Sequence, residues 1–210
     1  MAINVKNAFV GSPAIDGGVL FRAPLGTALP TDSTTAIDRD VWEDHGAVSE
    51  DGVSITQDRS TNDIKAYGGD TFITVQDNYD EQVEITLLED DNDAVLKSAF
   101  GDEFVEKTEA TTSEGTKRTI YHTSKPLPIS SFVIHSVYGD KTKRYVIERG
   151  QVVSVGDTVD VHSDVTKKTL TIKTYKPADE DLKGGNVVEY RNDGEANPDA
   201  GENGGAEGNG

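Results

Sequence analysis

TFITVQDNYDEQVEITLLE, residues 71–89, decides the fold class of this chain. In its second half Val83, Ile85 and Leu87 alternate with Gln82, Glu84 and Thr86. Successive side chains of an extended backbone point to opposite faces, so this run presents one apolar face and one polar face. Residues 71–77 and 81–89 are therefore read as a strand pair with one buried side. The same period recurs at 117–123, 131–138, 143–155 and 168–175, with Gly- and Asp-rich turns between the runs. The chain is predicted to be mainly β.

One neighbouring stretch breaks the alternation. Residues 90–101, DDNDAVLKSAFG, open with carboxylates suited to an N-cap and close on Gly101, where a left-handed C-cap would sit. Val95 with Ala99 and Leu96 with Phe100 fall four apart, which lays an apolar stripe on a sheet. A short helix near 91–100 is predicted, and a lone helix among strands makes a β-rich α+β domain. The acidic string Glu89, Asp90, Asp91, Asp93 also invites a calcium reading. It lacks the mid-loop Gly and distal Glu of an EF-hand, so helix capping is preferred.

Working further outward, three regions resist compact assignment. Residues 1–45 carry Pro13, Pro24, Pro30 and a TDSTT run and read as an N-terminal arm with a first strand. Residues 106–116, EKTEATTSEGT, read as an extended or mobile segment. SITQDRSTND, within the region 46–69, reads as a hydrophilic loop too long for a hairpin connection. Residues 192–210 hold five acids, no base and no aromatic or β-branched residue, and so cannot bury enough apolar surface to offset their ordering entropy. The expected organisation is an arm over 1–45, a β domain over 46–191 and a disordered acidic tail over 192–210.

Composition narrows the function. The 20 Lys and Arg against 38 Asp and Glu leave a formal charge of −18. The tail accounts for only five of these acids, so the body is acidic too. Such a field repels a phosphate backbone, so specific nucleic-acid binding is disfavoured. Solubility alone is a competing reason for an acidic balance. With no cysteine there is no disulfide framework, thiolate metal site or thiol nucleophile. No apolar run approaches the ~18 residues of a membrane span and no export signal is recognisable, so a soluble protein without membrane insertion is expected. The four histidines, His45, His122, His135 and His162, show no metal-ligand spacing and no nucleophile motif. The glycine pairs at 17–18, 68–69 and 184–185 form turns and no phosphate-binding pattern. Neither enzymatic activity nor a cofactor is expected.

Between residues 42 and 101 four elements follow in a fixed order. Trp42 is followed by Gly46 and an SEDG turn at 49–52; an aromatic-GGD turn, 67–70, opens a strand. That strand ends in TLLE, 86–89, and runs into VLKSAFG, 95–101. In this order and spacing the chain resembles the phage tail tube proteins, the major tail proteins of long-tailed, siphovirus-type bacteriophages. The resemblance is best over 40–102, looser to about 191, and does not extend to the arm or the acidic tail.

The resemblance implies a β sandwich or partial barrel with one flanking helix, assembled into hexameric rings that stack into a hollow tube in the virion. It implies assembly in the host cytoplasm, and as partners further copies of the chain, a tape-measure protein and the tail terminator and distal tail proteins. DNA would pass without sticking, because a wall of carboxylates denies phosphates their Lys and Arg partners. On alternation, Gln76, Asp77, Glu81, Gln82 and Glu84 are the candidates for the lumen wall, bulk solvent being the alternative for each. Asp58, Arg59 and Lys65 in the 46–69 loop are the candidates for a contact between rings, a solvated loop being the alternative. A monomeric β-sandwich decoration or binding module is the competing reading, and size in solution separates the two.

Overall fold

The computed structural model describes residues 3–14 and 18–196; the expected disordered tail falls outside the described residues from 197 onward. The strands, in chain order, are β1 (Leu20–Pro24), β2 (Glu43–Asp44), β3 (Val48–Lys65), β4 (Thr71–Leu87), β5 (Val105–Thr108), β6 (Lys117–Ile120), β7 (Ile129–Tyr138), β8 (Lys141–Val155), β9 (Lys168–Thr174) and β10 (Val188–Asn192). One helix, α1 (Asp93–Phe100), follows β4. The main sheet runs β2-β1-β7-β8-β9-β4-β3 with β10 on β8, and β5 and β6 form a separate hairpin. Every pairing is antiparallel. The fold is mainly β with one helix, and the sheet does not close into a barrel.

β8 is where the sheet branches. β7 holds one of its edges; the other edge takes β10 along Thr142 to Val146 and β9 along Gly150 to Val155. Register shifts opposite Ser130/Phe132 and at Val152/Ser154 supply the bend, as extra residues in a ladder do. Gly150 sits at this branch because a Cβ there would lie 2.7 Å from Phe132 Cδ2 and 3.0 Å from Ile172 Cγ2.

Both faces of the central strands are covered. On one face Val83, Ile85, Leu87, Phe132, Ile134, Ile147, Leu170 and Ile172 pack with Val95 and Ala99 of α1. The helix is capped by the amide of Asn92, whose Oδ1 accepts from Ala94 N at 2.9 Å, and not by a carboxylate. Gly101 ends it with φ 97°, its N–H donating to Lys97 O. On the other face Phe21, Ala23, Trp42, Val133 and Val146 form a second cluster with Leu29, Ile37 and Tyr190.

The segment expected as an arm with a first strand contributes β1, between β2 and β7, and the cover of this second face. Buried Arg144 pins that cover by donating to Asp32 O at 2.9 Å and Thr35 O at 2.8 Å. Arg22 on β1 forms a two-pronged pair with Asp102, at 3.0 and 2.5 Å, and donates through Nε to Ser130.

Two other expectations are corrected. SITQDRSTND is no loop: it belongs to β3 and pairs with β4 from Val48↔Leu87 to Lys65↔Thr71. The expected strand pair 71–89 is one continuous strand, Thr71–Leu87, whose partner is the supposed loop. A ribbon exposed on both sides has no burial to impose alternation, while its backbone groups still need partners. That is why a polar sequence extends the ladder here.

Candidate functional site

β9 supports β4 only from Gln82 to Leu87, so residues 71–81 run on with β3 as a bare two-stranded ribbon. At ~3.3 Å per residue it projects roughly 35 Å beyond the sheet. A two-stranded hairpin alone is marginal in water. What anchors its base is a cluster on the core-side face. Glu81, 2% exposed, accepts from Gln57 Nε2 and from Tyr79 OH, both at 2.8 Å. Thr174 Oγ1 donates to the Glu81 carbonyl at 2.9 Å, and the Arg59 guanidinium lies 4.4 Å above the Tyr79 ring. Burial, then the hydrogen bond to Glu81, pushes the Tyr79 phenol above its ordinary pKa.

The opposite face is polar. Ser54, Thr56, Asp58, Asp80, Gln82, Glu84 and Thr171 line a shallow groove of about 290 Å³. Asp58 stands directly opposite Asp80 across the ladder, a like-charge pair that disfavours close approach. Lys173 Nζ offsets it from β9, 2.8 Å from Asp80, and its hydrogen bond, followed by that of Gln82, holds the Asp80 carboxyl below the usual range.

The candidates read from the sequence thus divide. Gln82 and Glu84 share the polar face, and Asp58 joins them there. Glu81 does not: it is buried on the other side, so its placement on an exposed polar wall is corrected. Gln76, opposite Thr61, and Asp77, at the register shift with its Oδ1 3.4 Å from Ser60 Oγ, lie out on the ribbon. Arg59 stacks on its own Tyr79, and Lys65 bonds Thr71 at 2.6 Å and Asp63 at 3.4 Å within the hairpin.

At the ribbon's end Gly68 and Gly69, φ 112° and 100°, make the turn. Around it Tyr67 is fully exposed, Phe72 is 77% exposed, and Ile64, Ile73 and Val75 are open to solvent. Of these the sequence motif included Tyr67, in the aromatic-GGD turn; Phe72 on the other side of that turn was the further available signal. An apolar cluster rimmed by polar residues marks a contact surface.

Nothing among the described residues forms a metal-ligand cluster. Glu89 is used inside the fold, accepting from Ala47 N at 2.8 Å, and Asp90 lies 3.2 Å from Lys168 Nζ. His45 and Ser98 touch at 2.8 Å, but both are buried and the other ring nitrogen faces the Glu43 carbonyl, so the pair is structural. Burial pushes the His45 pKa down to about 4. His122 stacks on Phe100 at 4.5 Å.

The family described as phage tail tube protein matches residues 1–183 of this chain. The chain belongs to that family. As a phage tail tube protein it is a structural component of the virion tail. Two solved structures are similar along most of their length. The cryo-EM structure of the anti-feeding prophage (AFP) baseplate, 6-fold symmetrised, shares 11% identity over 86% of this chain and 97% of that chain, TM-score 0.32. A structure of a type six secretion system protein shares 14% identity over 82% and 92%, TM-score 0.29. No curated protein matches the chain.

Proposed function

We propose that this tail tube protein acts without enzymatic chemistry or cofactor, by polymerising into stacked hexameric rings that form the hollow tail of a siphovirus-type phage. The observation that carries this reading is the projecting hairpin. Among the described residues it leaves the outer edge of β3 unpaired, exposes apolar residues at its end and presents a carboxylate-rich face along its base.

An exposed strand edge invites a strand from a neighbouring copy, which satisfies its free backbone groups. Repeated around a ring, such pairing joins the hairpins into a continuous wall. Asp58, Asp80, Gln82 and Glu84, on the face away from the core, then line the lumen, with Asp77 farther along it; Gln76, opposite Thr61, falls on the Arg59 side of the ribbon. Phosphates passing such a wall find few cations to hold them. The outer hairpin, with Lys65 near its end and Arg59 nearer its base, contacts the adjacent ring, while Asp58 faces the lumen. Further partners are a tape-measure protein inside the tube and terminator and distal tail proteins at its ends; assembly occurs in the host cytoplasm.

Negative-stain electron microscopy with light scattering over a concentration series tests the reading. Rings or hollow tubes of uniform diameter are expected. A strict monomer, even when a tail-tip nucleus is added, would favour a decoration or binding module.

A further inference from the structure

We propose that the apolar end of the hairpin seats on the segment joining β8 to β9, residues 156–167, of a second copy in the next ring. This rests on the stacked-ring reading above and names the surface that receives the hairpin. β4 runs from the hairpin end down to Leu87, which pairs with Lys168 at the start of β9. The 156–167 segment, ending where β9 begins, therefore lies at the opposite end of the same sheet from Tyr67.

This segment belongs to no strand, yet it is not loosely tethered. Lys168 Nζ reaches Thr158 Oγ1 at 2.6 Å, Thr166 Oγ1 reaches Asp160 at 2.6 Å, and Lys167 reaches Asp164 at 2.8 Å. These bonds hold Val159, Val161 and Val165 outward, 58%, 48% and 53% exposed. One sheet thus carries an unpartnered apolar cluster at each end. A contact between unlike ends of identical copies cannot close on itself along that direction, and it propagates as a stack.

Charge permits the pairing. Residues 156–167 carry Asp157, Asp160 and Asp164 against Lys167. In a chain of net charge −18, residues 59–75 are neutral, with Arg59 and Lys65 matching Asp63 and Asp70. The hairpin end can approach that acidic segment without the repulsion the rest of the surface would meet. Tyr67 and Phe72 offer roughly 150–250 Å² each. Ile64, Ile73 and Val75, each partly exposed, add to this.

The absence of native cysteine makes a clean test. Tyr67→Cys and Val161→Cys are made singly, mixed under conditions that give wild-type tubes, and treated with a short bis-maleimide. A cross-linked species should require both variants. Cross-linking of Y67C to itself, or none between the two in intact tubes, would overturn the inference.

In parallel, the double variant Val159→Asp/Val161→Asp should keep its rings. The concentration it needs for tubes should rise by about a hundredfold or more, the scale of an unpaired carboxylate in a contact. Preformed rings of that variant mixed with rings of Tyr67→Asp/Phe72→Asp should give ring pairs and no longer stacks. Tubes from V159D/V161D at the wild-type concentration would defeat the inference while leaving the tube reading intact. A wild-type chain that forms neither rings nor tubes defeats both.

Discussion

Acidification should weaken this fold through two histidines, the half-buried His135 and above all the more deeply buried His45. Its ring is buried, Nε2 lies 2.8 Å from Ser98 Oγ and Nδ1 lies 3.2 Å from the Glu43 carbonyl. A neutral ring satisfies both, donating from Nδ1 and accepting at Nε2. A second proton would turn Nε2 into a donor facing a hydroxyl that must rotate, in a buried site where Arg22 repels positive charge and Asp44 only partly offsets it.

Burial holds the folded pKa at about 4, against 6.5 for an ordinary histidine. Because the folded value is depressed, the stability from keeping His45 neutral is fully present above 6.5 and is lost as pH falls from there through 4. The gap corresponds to about 3 kcal/mol. The assay is urea denaturation of the wild type and His45→Gln at steps from about pH 8 to about pH 4. H45Q is less stable at neutral pH, and its stability falls less steeply across that interval by about 3 kcal/mol. Asp63, Asp80, Asp93 and Asp164, whose pKa values are lowered, release their contribution at more acid pH, equally in both proteins. Parallel pH profiles would show that His45 does not carry this pH dependence.

Asp102→Ala leaves the buried Arg22 guanidinium with only Ser130 and should cost about 3 kcal/mol, most of it recovered in the double variant with Arg22→Met; a denaturant double-mutant cycle reads this. Gly150→Ala forces a methyl against Phe132 at the branch of β8 and should cost about 1–3 kcal/mol, seen as a lower melting temperature. Hydrogen exchange should find the ribbon amides of 60–75 unprotected in the monomer and protected in tubes, whereas those of Val83, Ile85 and Leu87 are protected in both.

What the sequence disclosed follows from where burial is one-sided. Val83, Ile85 and Leu87 meet the core on one side and solvent on the other, so the period of two was visible, and so was the helix stripe of Val95 and Ala99. β3 was invisible for the opposite reason: from Thr56 to Lys65 neither face is buried, and pairing alone leaves no hydropathy signature. A first strand was expected within 1–45 without bounds, because β1 is a short run buried on both faces with Arg22 inside it, whose charge is matched by Asp102, distant in sequence. Glu81 looked like a member of the polar wall until the register set it beside Gln57 and put Tyr79 on the same side. The family resemblance over 42–101 covered the hairpin and helix, so identity was legible where the local geometry was not.

A helical reconstruction of tubes grown from the purified chain would show which residues form the wall of the channel. A lumen lined by Asp58, Asp80, Gln82 and Glu84 is expected, with β3 paired to a strand of the neighbouring copy. Tubes whose lumen is formed by another surface, with this face turned to the outside, would contradict that arrangement.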